Sequence, residues 1–284
     1  MLLNFIIWDV DPEIFRISVF SIRWYGVLFA AAFVLGYFIM RKIFRQENVP
    51  VKALDRLTWY MVFGTLIGAR LGHCLFYEPG YYFENPAEIV QIWRGGLASH
   101  GAACGILAAL LIFSRVEYRP YLWILDRMAI PVALSGFCIR MGNLMNSEIF
   151  GQPTTLSWGF EFIRSPEWRL PPMNAQPCHP TQIYEAIAYF AVFLWLCRIY
   201  SGKSGKTYPG VLFGTFLVSL FSARFLIEFV KAGQVGFEEG MLLNMGQLLS
   251  IPFIICGIYL LIRPRQPRLC TSELRLCTSE PVKV

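Results

Sequence analysis

Seven long apolar stretches recur along the 284-residue chain, and they constrain its fold more than any other feature. A run of about 20 apolar residues is long enough to cross the hydrocarbon of a bilayer as one helix. The composition agrees, since 56% of the residues are hydrophobic and 15% are charged. We therefore predict an all-α polytopic membrane protein with seven transmembrane helices. The predicted spans are residues 24–40, 57–76, 97–113, 128–139 with their flanks, 182–197, 211–229 and 245–262.

Basic residues concentrate in alternate connections between these spans, which predicts the orientation of the chain. Lys and Arg are enriched in the cytoplasmic loops of membrane proteins. The basic connections contain Arg41, Lys42, Arg45, Lys52, Arg56, Arg115, Arg119, Arg198, Lys203, Lys206, Arg263, Arg265 and Arg268. The other connections carry mostly Asp and Glu. This pattern predicts an N-terminus outside and a C-terminus inside, which requires an odd number of spans and agrees with seven.

Three regions flank or interrupt the spans. Residues 1–21 place Asp9, Asp11 and Glu13 after a short apolar run and are predicted to form an outer interfacial arm. Residues 22–262 form the seven-span domain, and its long connection 142–181, rich in Pro and Trp, is predicted to form an outward-facing head. The tail 263–284 repeats Leu-Cys-Thr-Ser-Glu in a polar context and is predicted to be a disordered cytoplasmic end.

Several classes of protein are disfavoured by the distribution of charged and reactive residues. The formal net charge is +6, but the basic residues lie between apolar runs and form no patch with interleaved aromatics, so we expect no nucleic-acid partner. No pair among the eight cysteines has metal-ligand spacing, and no serine lies in a Gly-x-Ser-x-Gly setting. We therefore expect neither a metal nor a cofactor. We expect the protein to be surrounded by a lipid bilayer.

Polar side chains inside the predicted spans meet at one depth once the topology is set. Each of the first six spans brings at least one polar group to its outer end. Polar groups at membrane depth are costly unless they bind something, so their convergence predicts a site that faces the outer leaflet. The group comprises Tyr25, Arg70, His73, Ser99, His100, Arg140, His179, Gln182, Tyr184, Glu185, Arg224 and Glu228.

The chemistry of this site follows from its residue types. Residues 140–151 read Arg-Met-Gly-Asn-Leu-Met-Asn-Ser-Glu-Ile-Phe-Gly, a polar cluster directly after an apolar run. Arginines at the level of the lipid headgroups suit an anionic phosphate better than a cation. A histidine beside them can act as a general base at neutral pH. A phospholipid is therefore the expected ligand.

Other interpretations of the same residues stay open. An arginine at the end of an apolar run is often an interfacial anchor, and Arg224 with Glu228, four residues apart, can form an ion pair on a helix surface. A lipid or small-anion transporter is the alternative function, because transporters also use intramembrane arginines. The halves of the chain show no inverted repeat, however, and the polar residues gather at one face instead of the midplane. A structural envelope protein would show no such clustering.

The motif Arg140-x-Gly142-Asn143-x-x-Asn146-x-Glu148-x-x-Gly151 resembles the signature of the bacterial prolipoprotein diacylglyceryl transferase family. The resemblance covers most of the chain, with the motifs in the order and spacing of the family. Further matching segments are Trp24-Tyr25-Gly26, Gly68-x-Arg70-x-Gly72, Phe76-Tyr77, Gly95-Gly96, Ser99-His100-Gly101, His179-Pro180-Thr181-Gln182-Ile183-Tyr184-Glu185, Arg224-x-x-x-Glu228-Phe229 and Met245-Gly246-Gln247.

This resemblance implies a seven-span enzyme of the bacterial inner membrane with its active site toward the periplasm. It implies transfer of the diacylglyceryl group of phosphatidylglycerol to the lipobox cysteine of a preprolipoprotein, with glycerol 1-phosphate as the second product. The implied catalytic residues are His100, as the base for the thiol, and Arg140 and Arg224, as ligands of the phosphate. The implied substrate-binding residues are Tyr25, Arg70, Asn143, Asn146, Glu148, His179, Tyr184 and Glu228, the last also orienting Arg224.

The sequence departs from the family pattern at five positions. Leu220, four residues before Arg224, replaces an expected tyrosine, and Lys231 replaces a frequent arginine. Any role of that tyrosine therefore does not carry over to this chain. The milder departures are Ala102, Ile139 and Leu144.

Overall fold

The structure, a computed structural model, describes residues 5–17, 20–165, 176–202, 207–232 and 242–263. Within these ranges it contains eight α-helices and four short strands. The helices are α1 (Trp24–Gln46), α2 (Val51–Phe76), α3 (Pro79–Glu84), α4 (Ser99–Val116), α5 (Tyr121–Met145), α6 (Thr181–Gly202), α7 (Val211–Ile227) and α8 (Met245–Ile262). The strands are β1 (Ile6–Trp8), β2 (Glu13–Ile17), β3 (Phe20–Arg23) and β4 (Phe160–Phe162). Of the predicted disordered tail, residues 263–284, all but Arg263 lie outside the described residues.

Six helices in the described residues are long and apolar enough to cross a membrane, which confirms the prediction of a polytopic, helical membrane protein. They are α1, α4, α5, α6, α8 and α7 with the 3₁₀ turn that follows it. The second predicted span corresponds to α2, a helix of 26 residues that carries Lys52, Asp55, Arg56 and Arg70 and is not among the six. Several helices are longer than the predicted spans. Their backbone hydrogen bonding continues into the polar residues that flank the apolar runs.

Helix α5 lies at the centre of the bundle and contacts α1, α4, α6 and α7. Its apolar side chains join a large core in which Phe113, Ile124, Leu196 and Leu212 are fully buried. Burial on almost every side explains why the sequence of α5 shows apolar residues without a helical stripe. This central position brings the C-terminal end of α5, where Arg140 lies, against its neighbours.

Helices α2 and α4 approach one another through glycine. A Cβ atom on Gly72 would lie 2.6 Å from the Cα atom of Gly101, closer than van der Waals contact allows. Gly64, Gly68 and Gly105 form the same kind of contact along the two helices. Small residues at such spacing let membrane helices pack backbone to backbone. The contact fixes the first turn of α4, which carries His100.

A second polar cluster lies at the opposite end of the bundle from residue 140. Glu47 accepts hydrogen bonds from Arg127 Nε at 3.0 Å and from the Tyr200 hydroxyl at 3.0 Å, which ties α1, α5 and α6 together. Asp126 accepts hydrogen bonds from the backbone N–H groups of Gly210 and Phe213 at the start of α7. Its carboxylate thus satisfies donors that a helix N-terminus leaves unpaired.

The N-terminal arm and the predicted head pair with each other. Strand β1 runs parallel to β4, with Ile6 opposite Phe160 and Trp8 opposite Phe162. The Trp8 indole N–H donates to the carbonyl of Leu144, 3.0 Å away, and Arg164 forms ion pairs with Asp9 and Asp11. A hydrogen bond from the Glu13 backbone and the nearby guanidinium of Arg164 lower the pKa of Asp11. The arm therefore anchors the head to the end of α5.

Candidate active site

The end of α5 folds the signature segment back on itself. Helix α5 ends at Met145, and Ser147 follows with a positive φ of 53°. The Glu148 N–H donates to the carbonyl of Asn143 at 3.1 Å, and the Ser147 N–H donates to that of Leu144 at 3.0 Å. This pair of bonds is the Schellman arrangement that commonly terminates helices. It turns the chain so that the side chain of Glu148 returns over Asn143.

The signature side chains form a hydrogen-bonded series. Oε1 of Glu148 accepts bonds from Nδ2 of Asn143 at 2.8 Å and Nδ2 of Asn146 at 3.1 Å. Oδ1 of Asn143 accepts a bond from Nη1 of Arg140 at 3.1 Å. Asn143 is buried, so its amide fixes the relative positions of Glu148 and Arg140. The structure thus brings together four residues that the sequence predicted as one site.

The guanidinium of Arg140 also pairs with a carboxylate from α6. Its Nε atom lies 2.8 Å from Oε2 of Glu185, which is fully buried, and the side chain of Arg140 is 12% exposed. Lys231 extends this contact, with Nζ 3.8 Å from Oε1 of Glu185 and 3.5 Å from Oε2 of Glu228. Two cations and two carboxylates therefore share one buried cluster, which is the condition under which buried charges are tolerated.

Glu228 makes a different contact from the one predicted. Its carboxylate pairs with Lys231, and in the described part of the chain Arg224 forms neither an ion pair nor a hydrogen bond. No direct contact among the described residues therefore supports the predicted role of Glu228 in orienting Arg224. Arg224 is partly buried in the last turn of α7 and interacts electrostatically with Tyr189 and Lys231. Its charge stays available for an anion.

Gly151 joins three segments around this cluster. Its N–H donates to the carbonyl of His179 at 2.8 Å, and the next N–H, of Gln152, donates to that of Val230 at 2.9 Å. A Cβ atom on Gly151 would lie 2.7 Å from the Cβ of His179 and would meet the Val230 carbonyl. Only glycine therefore lets the signature segment, the start of α6 and the end of α7 meet.

The remaining predicted residues from α1 and α6 lie around the signature. Tyr25 is partly buried and packs against Gly142, where an added Cβ atom would lie 2.8 Å from its ring. Nδ1 of His179 lies 3.3 Å from the hydroxyl of Tyr184, which accepts a bond from the Trp158 indole at 2.9 Å. Trp158 belongs to the head, so this series connects the head to α6.

His100 and Arg70 have different surroundings from the signature residues. His100 lies exposed in the first turn of α4, and within the described residues its ring has no hydrogen-bond partner. Arg70 is buried and donates to the backbone carbonyls of Glu88, Ile89, Gly95 and Gly96, with the ring of Tyr82 5.0 Å from its guanidinium carbon. Those contacts organise the connection between α2 and α4.

The sequence does not indicate three residues of this region as site members: Lys231, Tyr189 and Trp158. Lys231 stands out in the sequence only as a departure from the family pattern. Tyr189 is buried, and its hydroxyl donates to Oε1 of Glu185 at 3.3 Å. Its spacing of four residues from Glu185 was the available signal, because it puts both side chains on one face of α6.

The arrangement of charges suits the binding of an anion. Arg140 and Lys231 balance the two buried carboxylates of Glu185 and Glu228, and Arg224 adds a further guanidinium group at the same end of the bundle. The described residues contain no group of three or more His, Cys, Asp or Glu side chains that could hold a metal ion. Guanidinium groups bind phosphate oxygens by charge-assisted hydrogen bonds.

Comparisons with known proteins agree with this chemistry. The sequence profile of the family described as prolipoprotein diacylglyceryl transferase matches residues 12–263. The phosphatidylglycerol–prolipoprotein diacylglyceryl transferase of Porphyromonas gingivalis is 49% identical over 269 residues, which cover 91% of this chain and 94% of the relative. The proteins of the same name from Tolumonas auensis and Chloroherpeton thalassium are each 46% identical, over 90% and 92% of this chain and 96% and 94% of the relatives. The chain therefore belongs to the prolipoprotein diacylglyceryl transferase family.

Proposed function

We propose that the chain transfers the diacylglyceryl group of phosphatidylglycerol to the lipobox cysteine of preprolipoproteins. The names of its relatives supply the two substrates. The observation that carries the proposal is Arg140, a largely buried arginine held from two sides by Glu185 and Asn143. A guanidinium fixed in this way is preorganised for a phosphate group.

The reaction is a substitution at the glyceryl carbon that bears the phosphate ester. The cysteine sulfur forms a C–S bond to this carbon while the C–O bond to phosphate breaks. The electrons of the broken bond remain on the phosphate oxygen, so the products are a thioether and glycerol 1-phosphate. The thiol proton goes to a base, because a thiol of pKa roughly 8.5 is mostly protonated at neutral pH.

Arg140 and Arg224 bind the phosphate in this proposal and stabilise the negative charge that grows on it. Arg224 suits this role because it forms no ion pair with any carboxylate among the described residues. His100 is the proposed base. Its exposed position at the start of α4 leaves both ring nitrogens accessible to an incoming thiol.

The other predicted residues shape the headgroup site. Asn143, Asn146 and Glu148 hold Arg140 in place through their hydrogen-bonded series, and the Oδ1 atom of Asn146, buried without a partner among the described residues, is available to a hydroxyl of the substrate. Tyr25 lines the lipid entry. His179 and Tyr184 bind the part of the lipid headgroup that is nearest to the head of the protein. The buried carboxylate of Glu228 maintains the charge balance of the site. Arg70 supports the site through the loop that precedes α4.

The proposed topology has seven spans, with the N-terminus outside and the C-terminus inside the bacterial inner membrane. Helix α2 is the seventh span, and its extensive glycine-mediated packing along α4 supports its place in the bundle. The arm and the head lie on the periplasmic side, and their pairing through β1 and β4 supports a common location. The active site then faces the outer leaflet. A transporter is not favoured by the names of the relatives.

The test uses purified full-length protein in mixed micelles that contain phosphatidylglycerol and a lipobox peptide. We expect glycerol phosphate release together with a gain in peptide mass equal to one diacylglyceryl group. A peptide whose lipobox cysteine is replaced by serine is the matched control and should gain no mass. Absence of both products with the cysteine peptide would contradict the proposed function.

A further inference from the structure

Tyr189 occupies a position from which it can control the orientation of Arg140. It lies one helical turn after Glu185 on α6, and its hydroxyl donates to Oε1 of Glu185 at 3.3 Å. The other oxygen of the same carboxylate, Oε2 of Glu185, lies 2.8 Å from Nε of Arg140. The hydroxyl of Tyr189 thus contacts the carboxylate that pairs with Arg140.

The sequence of α5 makes room for this tyrosine. A Cβ atom on Gly136 would lie 2.9 Å from Cδ2 of Tyr189, so the ring packs where a side chain at residue 136 would otherwise stand. Gly136 precedes Arg140 by four residues, which places both on one face of α5. The two helices therefore meet through matched pairs, Gly136 with Arg140 on α5 and Glu185 with Tyr189 on α6.

The hydroxyl of Tyr189 is important for the Arg140–Glu185 pair because it is buried. Tyr189 is 4% exposed, so its hydroxyl is held by neighbouring side chains and not by bulk water. Oε2 of Glu185 faces Nε of Arg140, while Oε1 faces Lys231 and Tyr189. Without the hydroxyl, the carboxylate of Glu185 loses one of the contacts that define its plane and can rotate against the guanidinium of Arg140.

We propose that Tyr189 is a positioning residue that holds the Arg140 guanidinium in the orientation needed to bind the lipid phosphate. The inference rests on the proposed function and adds a residue to it. It places the action of Tyr189 on Arg140, at a distance from the thiol. The substitution Tyr189→Phe therefore changes the handling of the lipid and leaves the KM for the lipobox peptide unchanged.

The experiment compares Tyr189→Phe with Tyr200→Phe in the full-length protein, using phosphatidylglycerol micelles and the lipobox peptide. Tyr200 is a matched control, since it is a buried tyrosine of the same helix whose hydroxyl bonds a carboxylate, Glu47, at the opposite end. We expect Tyr189→Phe to lower kcat about tenfold, the size of one lost hydrogen bond to a charged group, with an unchanged peptide KM. Tyr200→Phe should keep kcat within about twofold of the wild type.

Equal kcat values for the two variants would overturn the role of Tyr189. Wild-type protein that forms no product would instead contradict the proposed function, so the two failures are distinguishable. Gly136→Ala provides a second route, because it displaces the Tyr189 ring without removing the hydroxyl. It should lower kcat in the wild-type background and have no further effect in Tyr189→Phe. The same loss in both backgrounds would show a general packing defect and refute the proposal.

Discussion

Nε of Arg140 lies 2.8 Å from Oε2 of Glu185, across the contact between α5 and α6. This pair joins the signature segment at the end of α5 to the start of α6, and Lys231 extends it to the turn after α7. Removing one partner of a buried ion pair leaves an uncompensated charge and costs about 3–5 kcal/mol. The cluster is therefore a structural junction as well as the candidate phosphate site.

Ser147 offers a test of the turn that positions Glu148. Its positive φ costs a residue with a side chain about 1–2 kcal/mol, which glycine avoids. Its hydroxyl is buried and has no partner among the described residues, so removing it breaks no bond there. We expect Ser147→Gly to retain activity with an equal or higher Tm, and Ser147→Val to lower both, measured by thermal unfolding and product release. Identical behaviour of the two variants would contradict the turn's role.

A substitution of Gly151 tests whether the close contact between the signature segment, the start of α6 and the end of α7 is needed for activity. An added methyl group would collide with the His179 side chain and the Val230 carbonyl, and overpacking of this kind costs about 1–3 kcal/mol. We expect Gly151→Ala to lower the Tm and to reduce turnover more than a hundredfold, because the backbone bonds around the site separate. Gly202→Ala is the control, since nothing lies within 4 Å of a Cβ atom there. If both variants matched the wild type, the junction would carry no function.

The role of Arg70 can be tested as either substrate binding or support of the connection between α2 and α4. The sequence predicts a substrate-binding arginine, whereas its guanidinium donates to four backbone carbonyls in the connection before α4. Arg70→Lys cannot reach all four carbonyls, and each lost hydrogen bond from a charged group removes about 1.5–3 kcal/mol of stabilisation. We expect a lower Tm and faster amide hydrogen exchange in residues 86–96, with an unchanged KM for phosphatidylglycerol. A raised KM at unchanged stability would favour direct substrate binding.

The sequence predicted the components of the site better than their contacts. The Arg140–Glu148 series is local, so the spacing of its residues along one helix end already indicated a cluster. The partner of Arg140 on α6, Glu185, depends on how each helix is rotated about its axis. Helices α5 and α6 carry apolar residues on all of their faces. Such sequences do not reveal which face of a membrane helix contacts which neighbouring helix.

The arm and the head show a second limit of sequence reasoning. Strands β1 and β4 are three residues each and pair across more than 150 positions of the chain. Strands this short have no alternation from which pairing can be predicted, and their contact depends on the bundle that brings the two segments together. The predicted regions were an arm and a head, and their mutual pairing emerged only in three dimensions.

The central claim is that Arg140 binds the phosphate of the lipid, and Arg140→Gln tests it most directly. The matched control is Arg127→Gln, another buried arginine of α5, which pairs with Glu47 at the far end of the helix. The measurement is glycerol phosphate release from phosphatidylglycerol in the presence of the lipobox peptide, made on folded protein of each variant. We predict that Arg140→Gln loses at least about a thousandfold in turnover, as expected when a charge-stabilising donor is removed, while Arg127→Gln stays within about tenfold of the wild type. Turnover by Arg140→Gln equal to that of Arg127→Gln would contradict the account.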